Sequence, residues 1–205
     1  PHEFHSCDIR DPEAVAGLVD TVEARHGHLD VVVNNAGGSP YALAADASPR
    51  FHQKIVELNL LSMLHVSQAA NAVMQTQPAG GSIVSISSVS GHRPSPGTAA
   101  YAAAKAAVDS LTTSLAVEWA PKVRVNSIIT RMLPTEQAQL IYADEHSQEA
   151  VATTIPLGRQ AKPTEISRAA AFLASDAASY ISGASLAVHG GGEPPAYLSA
   201  SSANK

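Results

Sequence analysis

The chain has 205 residues, of which 45% are hydrophobic, 4% aromatic and 15% charged, and a formal net charge of −5. That length suits one domain, or most of one, around an aliphatic core, and the acidic balance without any Lys/Arg run argues against a nucleic-acid partner. One cysteine, Cys7, excludes a disulfide framework and fits a reducing cytoplasm, and no apolar run reaches the roughly 18 residues of a membrane span.

The elements follow in chain order. "FHSCDIRD" reads as a buried strand over Phe4 to Ile9, with no leader peptide before it. Asp11, Pro12 and Glu13 then announce a helix, as N-cap, first helical position and first-turn acid. Val15, Leu18, Val19 and Val22 give that helix an apolar stripe. "LDVVVNNAG" is a continuous apolar strand running into a tight turn. Ser48-Pro49 opens a long second helix through Ile55, Val56, Leu58, Leu61 and Leu64, reaching to about residue 76. "GGSIVSISS" is a third strand, Tyr101 to Ala120 an alanine-rich helix, and "VRVNSI" a fourth strand. A less regular stretch covers about 129–160, after which Thr164 caps a helix through Phe172 and Leu173. "SLAVHGGG" reads as the last strand.

Strands alternate with helices, and each strand is apolar on both faces. This predicts an α/β fold with a doubly wound parallel sheet, in a single domain over residues 1–192 with a polar tail at 193–205. Ligands of such sheets sit at the carboxyl ends of the strands. The turns that matter are therefore Asp8, "NNAG", "SSVSG" and the segment after "VRVNSI".

Tyr101 and Lys105 stand four residues apart and so share a helix face. An unperturbed phenol, with a pKa of about 10, is a poor acid near neutrality. A neighbouring ammonium favours the phenolate, so the pair is a candidate general acid/base. Taken alone, it reads as a core-edge tyrosine beside a solvated lysine. Its neighbours weigh toward chemistry. Ser88 ends the preceding strand, Asn34 to Gly37 end another, and Asn59 interrupts the apolar face of "VELNLLSML".

The pattern resembles the short-chain dehydrogenases/reductases. The matching residues are Asp8, Asn34-Asn35-Ala36-Gly37, Asn59, Ser88, Tyr101, Lys105, "VRVNS" at 123–127, "PLGR" at 156–159 and "SGASLAVHGGG" at 182–192. They stand in family order over nearly the whole chain. The resemblance implies a Rossmann-type NAD(P)-dependent oxidoreductase acting on a small carbonyl or secondary alcohol, like the 3-oxoacyl-acyl-carrier-protein reductases. By the same resemblance Tyr101 passes the proton, Lys105 holds the nicotinamide ribose and lowers the tyrosine pKa, Ser88 holds the carbonyl, and Asn59 places a water beside Lys105. Asp8 and Ile9 would meet the adenine of NAD or NADP, Asn34, Ala36 and Gly37 would line the cofactor, and Thr135 would contact its carboxamide.

Departures from the family set further expectations. The family's TGxxxGxG turn and the βαβ portion around it do not appear in this sequence, which reads as an incomplete copy of a longer chain or as a truncated product. Residues 1–205 are therefore expected to bind NAD or NADP poorly. A non-catalytic assembly subunit is the alternative function. Thr130-Arg131 replaces the family's Pro-Gly pair, leaving Arg131 either facing solvent or contacting an anionic substrate or cofactor group. His189, where the family often has Asp, is expected to be structural. No metal site is expected from the nine histidines, none of which forms HExxH. The small-residue helices at about 49–76 and 101–120, and the low charged fraction, predict a cytoplasmic homo-tetramer or homo-dimer.

Overall fold

The computed structural model describes residues 2–134 and 145–200. Helix α1 (Pro12–His26) starts as its local signals require: the Asp11 carboxylate accepts from the Glu13 and Ala14 amides, and Gly27 closes the helix at φ 75°. Strand β1 (Val31–Asn34) follows. The long second helix is in two parts, α2 (Pro49–Val56) and α3 (Ser62–Thr76), joined by a π turn over Glu57–Leu61. Ser48 caps α2 by accepting from the Phe51 amide at 3.1 Å. Then come β2 (Gly81–Ser88), α4 (Ala99–Glu118), β3 (Val123–Thr130), α5 (Glu145–Thr153), α6 (Pro163–Ala174), β4 (Ser185–Val188) and α7 (Ala196–Ala200).

Among the described residues four strands form one parallel sheet in the order β1-β2-β3-β4, as the alternation of strands and helices predicts. Side chains alternate across it, so Ile83 and Val84 enter different cores. On one face Ile83, Val123 and Val125 pack with Ala70 and Met74 of α3 and Leu115, Ala116 and Trp119 near α4's end. On the other, Val84 and Ile128 pack with Ile166, Ala170 and Leu173 of α6. Each such side chain contributes about 1.5–3 kcal/mol of hydrophobic burial. The sheet is thereby held between helices, and α4 packs against both β2 and β3.

Two expectations change. Phe4 to Ile9 is not a strand: the segment is irregular, Phe4 is 90% exposed, and the chain turns at Asp8, whose carbonyl accepts from the Asp11 amide. A strand exists through its ladder, and among the described residues the sheet ends at β1, whose Val31 and Val33 are themselves exposed. Thr164 is not the cap of α6. Lys162 occupies that position, its amide donating to Glu165 Oε2 at 2.8 Å. The tail carries the short helix α7, and its first residue, Glu193, is tied back to the body by Arg93 and Arg131.

Candidate active site

The site is built on the first turns of α4. Gly97 takes φ 78°, a left-handed conformation that suits glycine, and Tyr41 lies against the space a β-carbon would need there. The Ala42 amide donates to the Gly97 carbonyl at 2.8 Å, so the loop after β1 rests on the turn before α4. The helix begins at Ala99, which puts Tyr101, Lys105 and Asp109 on one face at successive turns.

Lys105 is 5% exposed. Its Nζ donates to the Ile86 carbonyl at 2.7 Å and lies 5.6 Å from the centroid of the Tyr101 ring. Burial lowers its pKa to about 8, with the Asp109 charge acting in the opposite sense. Tyr101 moves up: its burial raises the phenol pKa, and a hydrogen bond with the Ser88 side chain opposes that rise. This corrects the expectation that the ammonium would pull the phenol down. Lys105 sits over the ring, in cation–π range, and desolvation of the phenolate outweighs the attraction.

Asn59 lies in the π turn and is 1% exposed. Its Nδ2 donates to the Gly38 and Ile55 carbonyls at 2.9 and 2.8 Å, and its Oδ1 accepts from the Gly38 amide at 2.8 Å. The side chain is thus a clamp on the loop after β1, with both N–H bonds committed. Gly37 follows from that clamp: a β-carbon there would stand 3.3 Å from Lys105 Nζ. Ser88 closes β2 in extended geometry, its Oγ accepting from the Ser90 amide at 3.2 Å.

The structure therefore brings together Ser88, Tyr101, Lys105, Asn59 and Gly37. Asn34 is a framework residue, donating to Ser67 Oγ at 3.0 Å and Ser85 Oγ at 3.3 Å. Ala36 is exposed beside Gly37 on the same loop. Asp8 is exposed in a forked pair with Arg10, at 2.8 and 2.7 Å, which holds its carboxyl at about 2. Ile9 is half-buried in the turn beside it, and Thr135 lies outside the described residues. Arg131 does not face solvent. Its side chain is 12% exposed and donates to the Gly192 carbonyl at 3.0 Å and Thr154 Oγ1 at 3.2 Å, and pairs with Glu193 at 3.1 Å.

Two features escape sequence reasoning. The π turn has only Asn59, a polar break in an apolar face, as its signal. The buried Asp109 has one too: it stands four residues beyond Lys105, the one charge in the run "KAAVDSL" after the lysine.

Residues 1–193 match the protein family described as enoyl-(acyl carrier protein) reductase. The chain is 37% identical over 189 residues to cyclopentanol dehydrogenase of Comamonas testosteroni, covering 92% of this chain and 75% of that enzyme. It is also 37% identical over 194 residues to an uncharacterized short-chain type dehydrogenase/reductase of Sinorhizobium fredii, covering 93% of this chain and 35% of that protein. Among solved structures, 7α-hydroxysteroid dehydrogenase complexed with NADH and 7-oxo glycochenodeoxycholic acid superposes with a TM-score of 0.85 at 31% identity, over 92% of this chain and 73% of that one.

Proposed function

The chain belongs to the short-chain dehydrogenase/reductase family, the NAD(P)-dependent oxidoreductases of CH–OH groups, and from that premise we propose that Tyr101, Lys105, Ser88 and Asn59 interconvert a small carbonyl and its secondary alcohol. The observation that carries this reading is the meeting of three groups: the Tyr101 phenol, the Ser88 side chain that opposes the rise of its pKa, and the Lys105 ammonium against the same ring.

Hydride exchange with the substrate carbon is what NAD or NADP supplies when bound. The residues present fit its ribose. Lys105 Nζ uses one N–H on Ile86, which leaves two donors for a pair of vicinal hydroxyls, and Gly37 keeps the adjacent space free of a side chain. Asn59 holds that loop in place. Along the rest of the cofactor the reading places Asn34, Ala36 and Gly37 beside it, Asp8 and Ile9 toward the adenine, and Thr135 at the carboxamide.

Tyr101 then handles the proton. The phenol donates to the substrate oxygen as that oxygen gains charge, the Ser88 hydroxyl donates to the same atom, and the buried ammonium steadies the phenolate left behind. A homo-oligomer belongs to the same reading, since α4 leaves Val117 80% exposed on an otherwise small-residue surface.

The test is consumption of NADH or NADPH in the presence of a panel of ketones, followed by nicotinamide absorbance. Turnover with one of them is expected of the full-length protein. Cofactor binding without turnover on any of them would favour an assembly subunit instead.

A further inference from the structure

Asp109 stands one turn beyond Lys105 on α4 and is 9% exposed. Its carboxylate takes four hydrogen bonds. Ser87 Oγ and His92 Nε2 reach Oδ2 at 2.7 and 2.8 Å, while Ser127 Oγ and Ser185 Oγ reach Oδ1 at 2.6 and 3.2 Å. The donors come from β2, β3, β4 and the segment before α4. A carboxylate is costly to bury, and an apolar side chain would pack α4 as well. The charge itself therefore calls for an explanation.

We propose that Asp109 is the positioning residue of the Lys105–Tyr101 pair: its negative charge keeps the buried ammonium protonated while its hydrogen bonds seat α4 on the strand ends. The proposal rests on Lys105 serving the chemistry as argued above. Ser87 couples the two roles, because its Oγ is also 3.2 Å from the Lys105 carbonyl and it directly precedes Ser88. The Asp109 charge acts on Lys105 against the pull of burial.

Other charged or titratable groups sit on the elements packed against α4. Arg50, His52 and Lys54 are on α2, Glu57 on the π turn, Arg124 on β3 and His92 before the helix. Among these groups, Tyr101 acts on Lys105 through its ring and Asp109 through its charge, beside the Ile86 carbonyl that the ammonium bonds, and His92 meets Asp109. Arg124 is bonded to the Leu173 and Ile181 carbonyls.

The test is the titration of the Lys105 ammonium in the full chain, followed by lysine ¹⁵N NMR and assigned with Lys105→Met. Asp109→Asn is expected to move that titration down by about one pH unit or more. His92 is half-exposed, so His92→Arg keeps the carboxylate and places a permanent cation on it; a smaller downward shift is expected. Ser127→Ala removes one hydrogen bond, keeps the charge, and should lower Tm without moving the titration. An unmoved Lys105 in Asp109→Asn, or in His92→Arg should the first variant not fold, would make Asp109 a clamp only and overturn the proposal. Turnover is not needed for this readout, so failure of the catalytic reading would show separately, as unchanged activity in Tyr101→Phe.

Discussion

Gly37 backs onto Asn59 so closely that a β-carbon at position 37 would stand 2.7 Å from Asn59 Oδ1. The amide cannot retreat without giving up its bonds to Gly38, at 2.8 and 2.9 Å. Gly37→Ala is therefore expected to cost about 1–3 kcal/mol of stability, the usual range for overpacking. Because Lys105 Nζ borders the same space, nicotinamide affinity should fall as well. Denaturant unfolding and calorimetric titration with NADH and NADPH would measure both, and a variant with unchanged affinity would show that this loop does not shape the cofactor space.

Lys105 makes stability depend on pH in an unusual window. The unfolded chain holds the lysine proton up to about 10.5, whereas the folded protein releases it at about 8. Between those values the unfolded state binds more protons, so this group makes folding more favourable as pH rises. Below about 8 the buried charge costs on the order of 3 kcal/mol. Lys105→Met removes that dependence, though it also loses the bond to Ile86. Chemical denaturation at a series of pH values should show wild type gaining on Lys105→Met between about 8 and 10.5; parallel curves would contradict the burial described.

Arg131 pins the end of β3 to the last turn of the body through Gly192, Glu193 and Thr154. Arg131→Met is expected to destabilise by about 1.5–3 kcal/mol, since the Gly192 carbonyl and Thr154 lose a charged hydrogen-bond donor. Glu193→Gln should cost less, since Glu193 also faces Arg93 nearer the surface. Denaturant midpoints decide, and equal, negligible losses in both would reduce Arg131 to a surface residue.

What could be read from the sequence follows the range of the interactions. The caps at Asp11 and Ser48 are made within three residues, and both were legible as written. The parallel sheet was legible because β2 and β3 are apolar on both faces, which needs helices on each side. Phe4 to Ile9 has the same local pattern, yet a strand depends on a neighbour that the segment does not name. The rise of the Tyr101 pKa was hidden for a related reason: spacing shows that Lys105 is near, while burial and ring geometry decide which effect wins. Arg131 could be placed after β3, but not joined to residues 154, 192 and 193.

The most direct measurement is the steady-state rate of Tyr101→Phe with a reduced nicotinamide and a ketone that the unaltered protein turns over. The change deletes the phenolic oxygen beside Ser88 and leaves the ring over Lys105. A fall in kcat of about 10²–10⁴, with cofactor affinity within a few-fold of wild type, is expected when a general acid is removed and its surroundings stay intact. A kcat equal to that of wild type would contradict the assignment of Tyr101 as the proton donor.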